Sequence, residues 1–147
     1  MKKLLLLLTL IIIYSCDNGT ATHGTNPQNI NGFIDLTTFK PTAVEYNLDR
    51  SNEGRMGPSD YTVEAVLYYD AATFARFREQ YGKDVANDAQ ITKSTFNYKW
   101  LPKAVKDELA ASPEAYVYRT EPFTRHGNHY CFVWFLNNKV LVYYFTM

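Results

Sequence analysis

The chain has 147 residues, fifteen basic and fifteen acidic, with a formal charge of zero. That length suits one domain with a real core. The balanced charge argues against nucleic acid as a partner and against a polybasic membrane patch. Twelve Tyr and nine Phe beside two Trp point to a domain built on aromatic rings, and Tyr both packs and hydrogen-bonds.

The first sixteen residues, MKKLLLLLTLIIIYSC, differ in kind from the rest. Lys2 and Lys3 precede a ten-residue apolar run over 4–13 that is broken only by Thr9. The run is too short to cross a bilayer, which takes about 20 residues of helix, and it fits the apolar core of a secretory signal. Ile13, Tyr14, Ser15 and Cys16 then supply a branched apolar residue, a variable one, a small one and a cysteine. This pattern resembles the lipobox of bacterial lipoproteins, and the resemblance covers 1–16 alone. It implies a signal peptide over 1–15, a diacylglyceryl group on the Cys16 thiol and acylation of the new amine. One buried chain, at about 0.8 kcal/mol per methylene, binds weakly, whereas two or three hold a protein on a membrane almost permanently. The implied location is the cell envelope. Asp17 leaves the choice between inner and outer membrane open. An ordinary signal peptide or an uncleaved N-terminal anchor is the alternative. Loss of Lys2 and Lys3 leaves thirteen basic against fifteen acidic residues, a weakly acidic surface. With Cys16 acylated, the second cysteine, Cys131, has no partner in the chain, and a small buried hydrophobe is its expected role.

Residues 17–32, DNGTATHGTNPQNING, are polar and read as a flexible tether, with a coil reach of about 20–25 Å. A single globular domain is expected over 33–147. Within it, 33–39 carries Phe33, Leu36 and Phe39 as apolar points. Strands are expected over 42–48 and 61–69, the second with Tyr61, Val63, Ala65, Leu67 and Tyr69 on one face. Asp70 is placed to cap a helix whose stripe is Phe74, Phe77 and Tyr81, with Gly82 as its stop. Pro102 suits the start of a second helix, lined by Leu101, Val105 and Leu109 and ended by Ser112-Pro113. Strands follow over 115–120, 130–136 and 139–146, with Asn137-Asn138 as a two-residue turn. The order β-β-α-α-β-β-β predicts an α+β fold, mainly antiparallel, with the two short helices packed on one face.

Pairing across that turn sets Trp134 against Leu141, Phe132 against Tyr143 and Tyr130 against Phe145 on one face. The other face carries Phe135 with Val140, Val133 with Val142 and Cys131 with Tyr144. A sheet with one wet face alternates apolar and polar residues, and this hairpin does not. Either both faces are covered, with Phe96, Tyr98 and Trp100 as lids on one of them, or part of one face is a Tyr/Trp patch for binding.

The only constellation with chemical potential is His126-x-x-His129-x-Cys131, which lacks a fourth ligand and fits no zinc spacing. Cys131 lies mid-strand, a poor place for an attacking thiol. The sequence holds no G-x-S-x-G, G-x-G-x-x-G or P-loop. No catalytic residue, metal or cofactor is assigned. Loops are the better candidates for recognition: 50–59 with Arg55 and Met56, and 123–129 with Phe123, Arg125 and His126. Tyr130 and Trp134 on the hairpin join them as candidate binding residues. The expected function is a lipid-anchored module that binds an envelope protein, as an immunity or inhibitor protein does. A carrier with an aromatic pocket and an accessory subunit of an envelope complex are the alternatives.

Overall fold

The computed structural model describes residues 21–51, 60–83, 90–114, 117–119, 123 and 129–146. Six strands form one antiparallel sheet: β1 (Thr22–Gly24), β2 (Ala43–Ser51), β3 (Asp60–Tyr68), β4 (Val117–Arg119), β5 (His129–Phe135) and β6 (Lys139–Thr146), in the order β1-β2-β3-β6-β5-β4. The described residues also form two helices, α1 (Ala71–Tyr81) and α2 (Lys103–Ala111), and 3-10 turns at Pro27–Asn29 and Lys93–Phe96. The α+β class and the element order expected from the sequence are present, with β1 added in front.

The β5–β6 hairpin has the register read from the sequence, with Tyr130, Phe132 and Trp134 opposite Phe145, Tyr143 and Leu141, and Cys131, Val133 and Phe135 opposite Tyr144, Val142 and Val140. Leu136 N donates to Lys139 O at 2.9 Å to close the turn. Asn138 takes the left-handed conformation there, with φ of 52°, which Asn tolerates through its short polar side chain.

Because the hairpin is apolar on both faces, each face has its own core. On one face, Cys131, Val133, Phe135, Val140, Val142 and Tyr144 join Val63, Ala65 and Leu67 of β3 with Phe74 and Phe77 of α1. Phe77 lies 5.1 Å from Phe135 and 4.9 Å from Phe39, ring to ring. On the other, Phe132, Trp134 and Leu141 join Val66 with Val105 and Leu109 of α2, together with Phe96, Tyr98 and Leu101. The expectation of both helices on one face is therefore corrected: α1 and α2 lie on opposite faces. A single helical layer would leave one set of hairpin rings in water, at roughly 25 cal/mol per Å² of apolar area.

The helix ends are built as their residues suggest. The Asp70 carboxylate accepts from Thr73 N at 2.8 Å, a standard N-cap contact. Gly82 closes α1 with φ of −74°, so its value is not a positive φ. A Cβ there would clash with Arg78 O.

The expected tether is also corrected. Residues 22–32 belong to the folded domain. Strand β1 pairs with β2, Thr22 against Leu48 and Gly24 against Tyr46, and Ile30 is fully buried beside Ile34. The polar residues of this stretch serve the backbone. Asn26 Oδ1 accepts from Gln28 N at 3.1 Å to start the 3-10 turn. Asn29 Nδ2 donates to the Tyr46 hydroxyl at 2.7 Å. The Tyr46 ring lies over Gly24, where a Cβ would sit 2.5 Å from its Oη and 2.7 Å from its Cζ. Gly24→Val should therefore displace a buried ring and lower stability in urea titration by about 1–3 kcal/mol, the usual cost of overpacking. Gly32→Ala, where a Cβ meets nothing within 4 Å, should stay within about 0.5 kcal/mol of wild type. Equal stability of the two variants would contradict the packing of β1.

Candidate functional site

The two cores differ in how far they extend along the sheet. On the α2 face, the row Val117, Trp134, Leu141 and Val66 is buried throughout. The Trp134 indole N–H donates to Ser112 Oγ at the end of α2 at 2.9 Å. One row on stand Arg119, Phe132, Tyr143 and Glu64, and a further row on stand Tyr130, Phe145 and Thr62. Phe132 is still buried, whereas Tyr143, Tyr130 and Phe145 are half-buried and Arg119 is exposed.

These rings form an ordered shelf. Tyr130 and Phe145 stack at 5.2 Å and 12°, and Tyr143 meets Phe145 at 5.5 Å. The Arg119 guanidinium lies 5.2 Å over the Tyr130 ring. Strand β5 runs between β4 and β6, so Tyr130 is held between cation and ring, an arrangement favoured by the ring quadrupole. At the other border, half-buried Trp100 donates from Nε1 to Glu64 Oε2 at 2.7 Å. It stacks on Tyr98 at 5.4 Å and meets His23 of β1 edge-on at 5.1 Å. Buried Tyr98 donates its hydroxyl to Val142 O at 2.5 Å, which pins this segment across the sheet.

The structure sorts the candidate residues. Tyr130 stands on the shelf. Trp134 and Phe123 are core side chains, 0% and 1% exposed, and neither presents a surface to a partner. Phe123 packs edge-on against Phe77 at 5.3 Å on the α1 face. The expectation of binding roles for these two is corrected: their size and apolarity, which suggested recognition, fill the two cores instead. Cys16, Arg55, Met56, Arg125 and His126 lie outside the described residues. Tyr143, Phe145, Trp100, Glu64 and Arg119 were not singled out from the sequence as binding residues. The hairpin register already set Tyr143 and Phe145 on the Tyr130 face, and that was the available signal.

Elsewhere, a groove of about 410 Å³ lies beside α2, lined by residues including Lys93, Ser94, Asn97, Lys106 and Glu114. Its Lys93 ammonium donates to Ala110 O at 3.2 Å and Ser112 O at 2.5 Å. A cation at the C-terminal carbonyls of a helix stabilises it, which gives Lys93 a structural role. Among the described residues no group of three or more His, Cys, Asp and Glu is placed to hold a metal ion. Cys131 is fully buried on the α1 face, and burial pushes its thiol well above the ordinary range, so it packs as a small hydrophobe. The chain matches no protein-family model, no curated protein and no solved structure.

Burial also raises the phenols. Tyr68, desolvated and hydrogen-bonded to Glu45, and Tyr144, desolvated, are each pushed up to about 12. Tyr98 is raised well above its usual value by burial, and Tyr143 is raised by burial and by the Glu64 charge. A folded-state pKa above the unfolded one gives stability that is complete below the phenol's ordinary value of about 10 and lost as pH rises through the folded values. Alkaline titration should therefore show the buried Tyr98 and Tyr144 phenols ionising only as far-UV circular dichroism is lost. Ionisation of every phenol near pH 10 with the dichroism unchanged would contradict their burial.

Proposed function

We propose that the chain is a cell-envelope lipoprotein, acylated at Cys16, whose domain acts as a non-catalytic module that binds another envelope protein. An immunity or inhibitor protein works in this way. The observation that carries the reading is the half-buried shelf of Tyr130, Tyr143, Phe145 and Trp100 at one end of the α2 face. Tyr, Trp and Arg dominate the energetics of protein interfaces. Rings already ordered by stacking lose little conformational freedom on binding. The partial exposure of its rings favours a protein partner over the enclosed site of a small-ligand carrier.

Two measurements check this reading. In the tagged full-length protein, Tyr130→Ser or Phe145→Ser should weaken capture of the partner about tenfold or more, as for an interface hot spot. Glu79→Ser, at an exposed position on α1, should leave it unchanged. Wild-type affinity in folded shelf variants would remove the shelf from the interface. For the anchor, Cys16→Ala should leave the chain unprocessed or release it from the membrane fraction. An acylated variant that fractionates like wild type would end the lipoprotein reading.

A further inference from the structure

We infer that the protein bound at the shelf is itself held in the membrane that carries the Cys16 lipid and meets the shelf in the layer next to the bilayer. The inference rests on the reading just given. It comes from the length of the leash and the place where the leash joins the sheet.

The first described strand is β1, and six residue steps separate Cys16 from Thr22. Whatever their conformation, six steps span at most about 20 Å. The sequence alone had allotted sixteen residues to this role, and the fold takes back those from Thr22 onward. Thr22 stands opposite Leu48, which pairs with Val63, which pairs with Tyr144. That register row runs between the two shelf rows. His23, the next residue, shares the row of Glu64 and Tyr143 through Asn47. The chain enters the sheet travelling from Leu48 towards Tyr46, away from the end where Phe145 and Tyr130 pair. Leash and shelf therefore share one end of the sheet. Strands β1 and β6 are three spacings apart in the sheet order, or about 15 Å at the usual spacing. The shelf consequently lies within about 35–40 Å of the lipid attachment even with the leash fully extended.

Such a leash favours a partner confined to the same surface. Tethering converts the encounter into one at high effective concentration, and the gain falls as roughly the −3/2 power of linker length once the span is met. The shelf fixes the partner's contact chemistry. Apolar side chains would pack on the rings, and a carboxylate would meet the exposed Arg119 guanidinium beside Tyr130.

The test is photo-cross-linking in cells from a photoreactive phenylalanine at position 143 of the full-length chain. A second chain carries a sixteen-residue Gly/Ser spacer inserted after Asp17, ahead of every described element. Thermal melting of both forms checks that the fold is unchanged. The expected result is an adduct with one protein that has its own transmembrane segment or lipid anchor, with yield about five- to tenfold lower in the spacer chain. Unchanged yield with the spacer, or an adduct with a protein lacking any membrane attachment, would overturn the inference and leave the protein-binding reading standing. Adducts with lipid alone, or no protein adduct from a folded and acylated chain, would overturn both.

Discussion

A β-hairpin that is apolar on both faces must be covered twice, and the rest of this domain is arranged around that requirement. Strands β5 and β6 carry Trp134, Phe132 and Leu141 on one side and Val133, Phe135 and Val142 on the other. Leaving either set in water would cost on the order of 1.5–3 kcal/mol for each large side chain. The helices are accordingly divided between the faces. The α1 face also draws in Ile30, Ile34, Leu36 and Phe39, which ties the N-terminal stretch to the sheet.

The same requirement explains why one border of the sheet remains half open. On the α2 face, α2 and the segment that carries Phe96, Tyr98 and Leu101 close over Trp134 and Leu141. Beyond Phe132, the rings of Tyr130 and Phe145 stack, and Tyr143 meets Phe145 at a tilt. The proposed binding surface and the proposed leash both rest on this geometry. With 22–32 in the fold, the proposed leash is shorter than composition suggests, and β1, its root, enters at the end of the sheet where Tyr130, Tyr143 and Phe145 are half-buried.

Most of the fold was legible in the sequence because its signals are local. The stripe of Phe74, Phe77 and Tyr81, the Asp70 cap, the helix with Val105 and Leu109, and the hairpin register can all be read from spacing and turn chemistry. Two features were not. The division of the helices between faces depends on long-range packing, which periodicity does not encode. The folding of 22–32 was hidden by composition. A stretch with a single large apolar residue, Ile30, reads as solvated, and its Asn and Gly residues act through Tyr46, a partner far off in sequence. The site was half legible for a related reason. Tyr130 was visible as an aromatic residue on the doubly apolar hairpin, but so was Trp134, and only the lengths of the covering elements separate a buried ring from a half-open one.

The measurement that bears most directly on this account is the pattern of nuclear Overhauser effects in the isotope-labelled protein. Two sets should appear together: contacts between the rings of Phe77 and Phe135, which lie 5.1 Å apart, and contacts between the Trp134 indole N–H and Ser112 at the end of α2, joined at 2.9 Å. Contacts placing α1 and α2 on the same side of β5 would contradict the central claim that the hairpin is covered on both faces by different helices.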